Sequence, residues 1–116
     1  MVDRPDAMKD WIGTYILEGH RPVAERDTIA WAQWLEAADR IVARTEHELF
    51  VVSTVFLGLD YRHCGNGPPL LFESMVFFDG VAQHFQRYSS WDDAETGHKA
   101  MVRQQMEKVR ASAKAT

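Results

Sequence analysis

Two apolar stretches decide the fold of this chain: Glu48-Leu-Phe-Val-Val-Ser-Thr-Val-Phe-Leu-Gly-Leu-Asp60 and Pro69-Leu-Leu-Phe-Glu-Ser-Met-Val-Phe-Phe-Asp79. Both are rich in β-branched and aromatic residues, which favour strands, and the turn-forming run Cys64-Gly-Asn-Gly-Pro-Pro69 separates them. The pattern predicts two adjacent antiparallel strands, joined by a long loop, as the core of the protein.

The sequence before these strands predicts a helix. Asp27 or Thr28 can cap its first turn, and apolar residues then recur at helical spacing from Trp31 to Thr45, about four turns. Further upstream, residues 11–23 can form a short strand or a hairpin that turns at Glu18-Gly-His20.

The sequence after the two strands predicts a third strand and a second helix. Residues 83–89 can supply the strand, and Ser90 with Asp93 resembles the capping box that starts a helix. The predicted fold class is α+β, with a three- to four-stranded antiparallel sheet and two helices packed on one face. We expect residues 1–116 to form a single domain, with a flexible N-terminal arm at 1–10 and a frayed tail at 111–116.

Composition limits the partners and the location of the protein. The net charge of −4 argues against broad phosphate-backbone binding, so nucleic acid is not an expected partner. No apolar run approaches the roughly 18 to 20 residues of a membrane span, and no membrane partner is expected. The single cysteine, Cys64, and a charged N-terminus without an apolar core predict a cytoplasmic location.

The two central strands do not alternate between apolar and polar residues, so both faces of the sheet need cover. Two helices can pack on one face. The second face is expected to carry the residues Phe50, Thr54, Phe56, Glu73, Met75 and Phe77. An apolar surface of this kind predicts a homodimer or a partner-binding face. The alternative is that residues 11–23 fold over it.

Polar residues within this apolar sequence suggest a binding site. Glu73, Thr54 and Arg87 could bind a polar ligand between aromatic rings, or Glu73 and Arg87 could instead form a cross-strand pair. His98 lies on the apolar stripe of the second helix, where a hydrogen-bonded core histidine is the alternative to a functional one. The candidate ligand- or partner-binding residues are Phe50, Thr54, Phe56, Asp60, Glu73, Met75, Phe77, Arg87, Tyr88 and His98.

One loop combines residues that can ligate zinc. Asp60, His63 and Cys64 could supply three ligands, but a tetrahedral site would need a remote fourth. We therefore predict no metal site. We also predict no cofactor, and we assign no catalytic residue.

Four segments resemble a family of small proteins encoded by tailed bacteriophages and prophages. They are Trp31-Ala-Gln-Trp34 with Ala38-Asp-Arg40, Val52-Ser-Thr-Val-Phe-Leu-Gly-Leu-Asp60, Gly67-Pro-Pro-Leu-Leu-Phe-Glu-Ser-Met-Val-Phe77 and Arg87-Tyr-Ser-Ser-Trp-Asp-Asp-Ala-Glu-Thr-Gly-His98. The chain departs from the family pattern at Tyr61-Arg-His-Cys64, where a histidine and an aromatic residue are expected after the aspartate.

The resemblance implies a phage accessory protein that acts in the host cytoplasm. The leading expectation is a non-enzymatic counter-defence protein that sequesters a small nucleotide-like signal or blocks a host defence protein. The alternatives are a virion or assembly component, and a small hydrolytic or metal-dependent enzyme that uses Glu73, His98 or Cys64.

Overall fold

The structure is a computed structural model, and it describes residues 11–61 and 67–115. The predicted arm at residues 1–10 lies outside these residues, as do His63 and Cys64 of the zinc prediction.

Four antiparallel strands form the main sheet, and a two-stranded hairpin precedes them. In chain order the elements are β1 (Tyr15–Glu18), β2 (Arg21–Ala24), α1 (Thr28–Ala37), β3 (Ile41–Glu46), β4 (Phe50–Phe56), β5 (Phe72–Phe78), β6 (Val81–Tyr88) and α2 (Trp91–Ala115). The strands of the sheet lie in the order β3-β4-β5-β6, each antiparallel to its neighbour. The predicted α+β class, with helices packed on the sheet, is confirmed.

The first helix is shorter than predicted. It begins as expected, because the Asp27 carboxylate accepts hydrogen bonds from the Ile29 and Ala30 amides at 3.0 and 3.1 Å. It ends at Ala37, so the prediction that the helix runs on to Thr45 is wrong. The β-branched residues after it suit an extended backbone, and they form β3 instead.

The second helix begins where the sequence predicts, since the Ser90 hydroxyl accepts from the Asp93 amide at 3.1 Å. It continues to Ala115, where a frayed tail was predicted, and its side chains 111–114 are exposed. Gly97 allows the helix to approach the sheet closely, because a Cβ atom there would lie 2.3 Å from the Tyr88 ring.

The core lies between the sheet and the helices. One buried cluster comprises Phe50, Val52, Val76 and Met101, and a second comprises Phe56, Leu71, Phe72 and Ala94. Tyr15 and Leu17 of the hairpin and Trp34 of α1 pack against the second cluster. The hairpin therefore covers the same face as the helices, and the alternative that residues 11–23 fold over the other face is wrong.

The register of β4 and β5 corrects the predicted second face. Phe50 pairs with Phe78, Thr54 with Ser74, and Phe56 with Phe72. Directly opposite residues share a face, so these aromatic residues and Thr54 lie against the helices. Glu73, Met75 and Phe77 lie on the opposite face, and the prediction that all six residues share one face is wrong.

Candidate functional site

One face of the four-stranded sheet carries no helix, strand or hairpin of the described residues. We call it the open face. Its residues come from all four strands: Ile41, Arg44, Glu46, Val51, Ser53, Val55, Glu73, Met75, Phe77, Phe85 and Arg87. All are half-buried or exposed, and the side chains of Ile41 and Phe85 are 52% and 49% exposed. Because six of these eleven residues are apolar, the open face is a candidate interaction site.

An ion pair lies within this apolar surface. Glu73 and Arg87 are directly opposite each other on β5 and β6, and Arg87 Nε donates to Glu73 Oε2 at 3.1 Å. The predicted cross-strand pair therefore forms. Both side chains are partly shielded from water, which strengthens the attraction between their charges relative to a fully exposed pair.

Two aromatic rings hold the Arg87 guanidinium. Its Cζ atom lies 4.7 Å from the ring centroids of both Tyr61 and Phe85, a cation–π distance. Among the described residues, its terminal amino groups make no hydrogen bond. They can donate to a phosphate or carboxylate of a bound molecule, a geometry to which guanidinium groups are suited.

A groove of about 350 Å³ adjoins the end of the open face. Arg44, Val51 and Phe77 line it together with His47 and Asp79 from the two hairpin turns at that end of the sheet. The His47 ring stacks on Phe50, with centroids 4.7 Å apart, and its Nδ1 accepts from the Leu49 amide at 3.1 Å. The groove thus adds polar groups beside the apolar surface.

A chain of buried hydrogen bonds joins α2 to the other face of the sheet. His98 Nδ1 lies 2.7 Å from the Thr54 hydroxyl, and His98 Nε2 lies 2.8 Å from the Thr45 hydroxyl. Thr54 in turn contacts the Ser74 hydroxyl at 2.5 Å. Thr54 and Ser74 are 0% exposed and His98 is 5% exposed. The chain satisfies polar groups that would otherwise be costly in the core.

The burial of His98 determines the protonation state and the role of its imidazole ring. Burial away from water lowers the pKa of His98 below its usual value of 6.5, so the ring is neutral at pH 7. The Thr54–His98 distance resembles that of a nucleophile and its base, but both groups lie inside the core. Their arrangement suits holding α2 on the sheet, the alternative that the sequence left open for His98.

The structure therefore divides the predicted binding residues into two groups. Glu73, Met75, Phe77 and Arg87 come together on the open face. Phe50, Thr54, Phe56, Tyr88 and His98 lie on the helix-covered face. Asp60 belongs to neither group: its carboxylate accepts from the Leu70 amide at 3.1 Å, and its own amide donates to the Gly13 carbonyl.

Sequence reasoning missed several residues of each group. Val51, Val55 and Phe85 belong to the open face, and Thr45 and Ser74 belong to the buried chain. The buried chain had a signal in the sequence, because Ser74 and Thr54 interrupt apolar strands and His98 interrupts an apolar helical stripe. No comparable signal identified Phe85.

Comparison of the chain with protein-family models, curated proteins and solved structures finds no match in any of the three. Within residues 11–61 and 67–115, no three His, Cys, Asp or Glu side chains are grouped so that they could hold a metal ion. Neither described helix combines the length and apolar character needed to cross a membrane.

Proposed function

We propose that this chain is a non-enzymatic phage-type accessory protein that blocks a host defence protein through the open face. The observation that carries the proposal is the surface itself: half-buried or exposed apolar side chains on four strands, with a polar groove at one end. Protein interfaces combine an apolar centre with a polar rim in this way. The phage context comes from the resemblance of the sequence.

Met75 marks the centre of the proposed contact. It lies between Ser53 on β4 and Phe85 on β6, and its side chain is half-buried. A charge placed there would have to be desolvated when a partner covers the face. In the free protein, a lysine can extend its charged end into water, so Met75→Lys should fold.

The experiment measures infection of bacterial strains that each carry one anti-phage defence system. Expression of the chain should restore plaque formation by a blocked phage in at least one strain. Met75→Lys should abolish that restoration. Ile29→Lys is the matched control, because Ile29 is 71% exposed on α1 and lies off the sheet. The proposal fails if no strain is rescued, or if a folded Met75→Lys variant rescues as well as the parent.

The setting of Arg87 favours a second candidate, sequestration of a small nucleotide-like signal. Its terminal amino groups could bind a phosphate while a base stacks on the exposed Tyr61 or Phe85 ring. A ligand at a hundredfold excess over its Kd would stabilise the fold by about 2.7 kcal/mol.

Thermal unfolding with mono-, di- and cyclic nucleotides and ADP-ribose derivatives tests this candidate. One compound class should raise the Tm of the parent. Arg87→Gln should remove the shift, and Glu73→Gln, which keeps the guanidinium, should retain it. A panel that leaves the parent Tm unchanged rejects these compounds as the signal.

A further inference from the structure

Strand β6 forms an unprotected edge of the sheet. It pairs with β5 on one side and with no described strand on the other. Its residues 81–86, Val-Ala-Gln-His-Phe-Gln, are all exposed and include no proline and no Lys, Arg, Asp or Glu. Edge strands usually carry proline or charged residues, because these prevent pairing with another chain. The opposite edge, β3, does carry them, with Arg44 and Glu46.

The regular part of this edge is long enough to pair. A register shift on the β5 side lies between the pairs Val76–His84 and Phe77–Ala82, which leaves Gln83 as the extra residue. From His84 to Tyr88 the strand is regular. Along these five residues of extended backbone, alternate residues direct their N–H and C=O groups away from β5, and no described strand pairs with them there.

The helix layer also stops short of this edge. His84 and Gln86 lie on the helix side of β6 yet remain exposed. A groove of about 230 Å³ runs between them and α2, where Gly97, Ala100 and Gln104 line it. The sheet and the helix layer thus both end at β6, and the space beside them can accept side chains from an adjoining copy.

We propose that a second copy of this chain pairs its β6 antiparallel to this β6, about a two-fold axis perpendicular to the sheet near Phe85. The product is a continuous eight-stranded sheet with the two α2 helices on the same side. When a strand pairs with its own copy, the residue at the two-fold axis lies opposite the same residue of the copy. A charge at that position would therefore face a like charge. Here the centre is Phe85, a neutral aromatic residue, and the regular edge has its only formal charge at Arg87.

The groove adds contact area to that of the edge strand. A stable interface buries about 800 Å² on each partner, more than five paired residues provide. Side chains of the second copy can fill the groove over His84 and Gln86 and contact the small residues Gly97 and Ala100. The pairing leaves the open face uncovered, so this inference goes beyond the proposed function and does not depend on it.

Light scattering of the eluting protein tests the inference. The parent should have twice its chain mass of 13.3 kDa at high concentration and approach 13.3 kDa on dilution. Phe85→Lys, which places two like charges at the centre, should elute as a monomer. Ile41→Lys is the matched control, because Ile41 is equally exposed on the open face but lies on the other edge strand. It should remain dimeric.

Cross-linking decides the question if Phe85→Lys fails to fold. In a Cys64→Ser background, Phe85→Cys should form a disulfide-linked dimer under mild oxidation, because the two side chains would be directly opposite. Ile41→Cys in the same background should not. A parent that is monomeric at every concentration overturns the proposal. So does a dimer that Ile41→Lys dissociates and Phe85→Lys does not, since that dimer would form elsewhere.

Discussion

Replacing Thr54 by valine tests the buried hydrogen-bond chain directly. The side chain is 0% exposed, and valine has nearly the same shape, so the change removes a hydroxyl without opening a cavity. Two buried groups lose a partner: His98 Nδ1 at 2.7 Å and the Ser74 hydroxyl at 2.5 Å. Each unsatisfied buried group costs about 1–3 kcal/mol. With two such groups, we expect Thr54→Val to lower the free energy of unfolding by about 2–6 kcal/mol, a large part of the roughly 5–15 kcal/mol typical of a domain.

Urea unfolding followed by tryptophan fluorescence measures this loss. Ser53→Ala is the control, because Ser53 is adjacent in the strand but lies half-buried on the open face; its effect should stay within about 0.5 kcal/mol. Ser74→Ala supplies a double-mutant cycle, since it removes one of the groups that Thr54→Val leaves unsatisfied. The two changes together should cost less than their sum, by about 0.5–3 kcal/mol.

Equal stability of Thr54→Val and the parent, or strict additivity of the two substitutions, would contradict this expectation. Either result would mean that the hydroxyl chain contributes nothing beyond the packing of its methyl and methylene groups, and that α2 is held by its apolar contacts alone.

Two further predictions concern the same helix. The lowered pKa of His98 means that the unfolded chain binds a proton more readily than the folded chain. The free energy of unfolding should therefore be highest, as far as His98 is concerned, above pH about 6.5, and it should decrease as the pH falls below that value. Urea midpoints should show this dependence, and His98→Gln should reduce it. Parallel pH profiles of parent and variant would contradict this. Gly97→Ala should lower the Tm, because a Cβ atom 2.3 Å from the Tyr88 ring costs about 1–3 kcal/mol, against about 1 kcal/mol gained in helix propensity. A higher Tm would show that the Tyr88 ring moves aside freely.

The sequence predicted the elements that have strong local signals. The strand-forming runs, the caps at Asp27 and Ser90, and the hairpin turn after Glu18 all come from residue types whose preference is local. The helix prediction for residues 38–46 failed because their apolar side chains fit both the helical period and the strand period. Ile41, Val42 and Thr45 continue the helical stripe, and their β-branched side chains also suit a strand. Contact with β4 decided between the two.

The prediction of which residues share the candidate site failed for a different reason. Alternation along one strand groups the residues that share a face, but it does not say which face of the next strand they join. That depends on the register, and a shift by one residue exchanges the two faces. A tight turn would have determined the register, but a long connection joins β4 to β5. Thr54 was therefore placed with Glu73, when its partner is Ser74.

Pairing at β6 and binding through the open face reinforce each other. A two-fold axis perpendicular to the sheet keeps both open faces on one side, so the dimer presents one continuous surface with Phe85 and Arg87 of each copy near its centre. A dimeric target could then contact both halves, and the second contact would form at a high effective concentration. Loss of the dimer would weaken such binding far more than loss of one contact. If Phe85→Lys and Met75→Lys both abolish rescue while Ile29→Lys, which lies off the sheet, preserves it, rescue depends on the sheet around Phe85, as the paired surface requires. If Phe85→Lys rescues fully, each copy acts alone and the pairing serves another purpose.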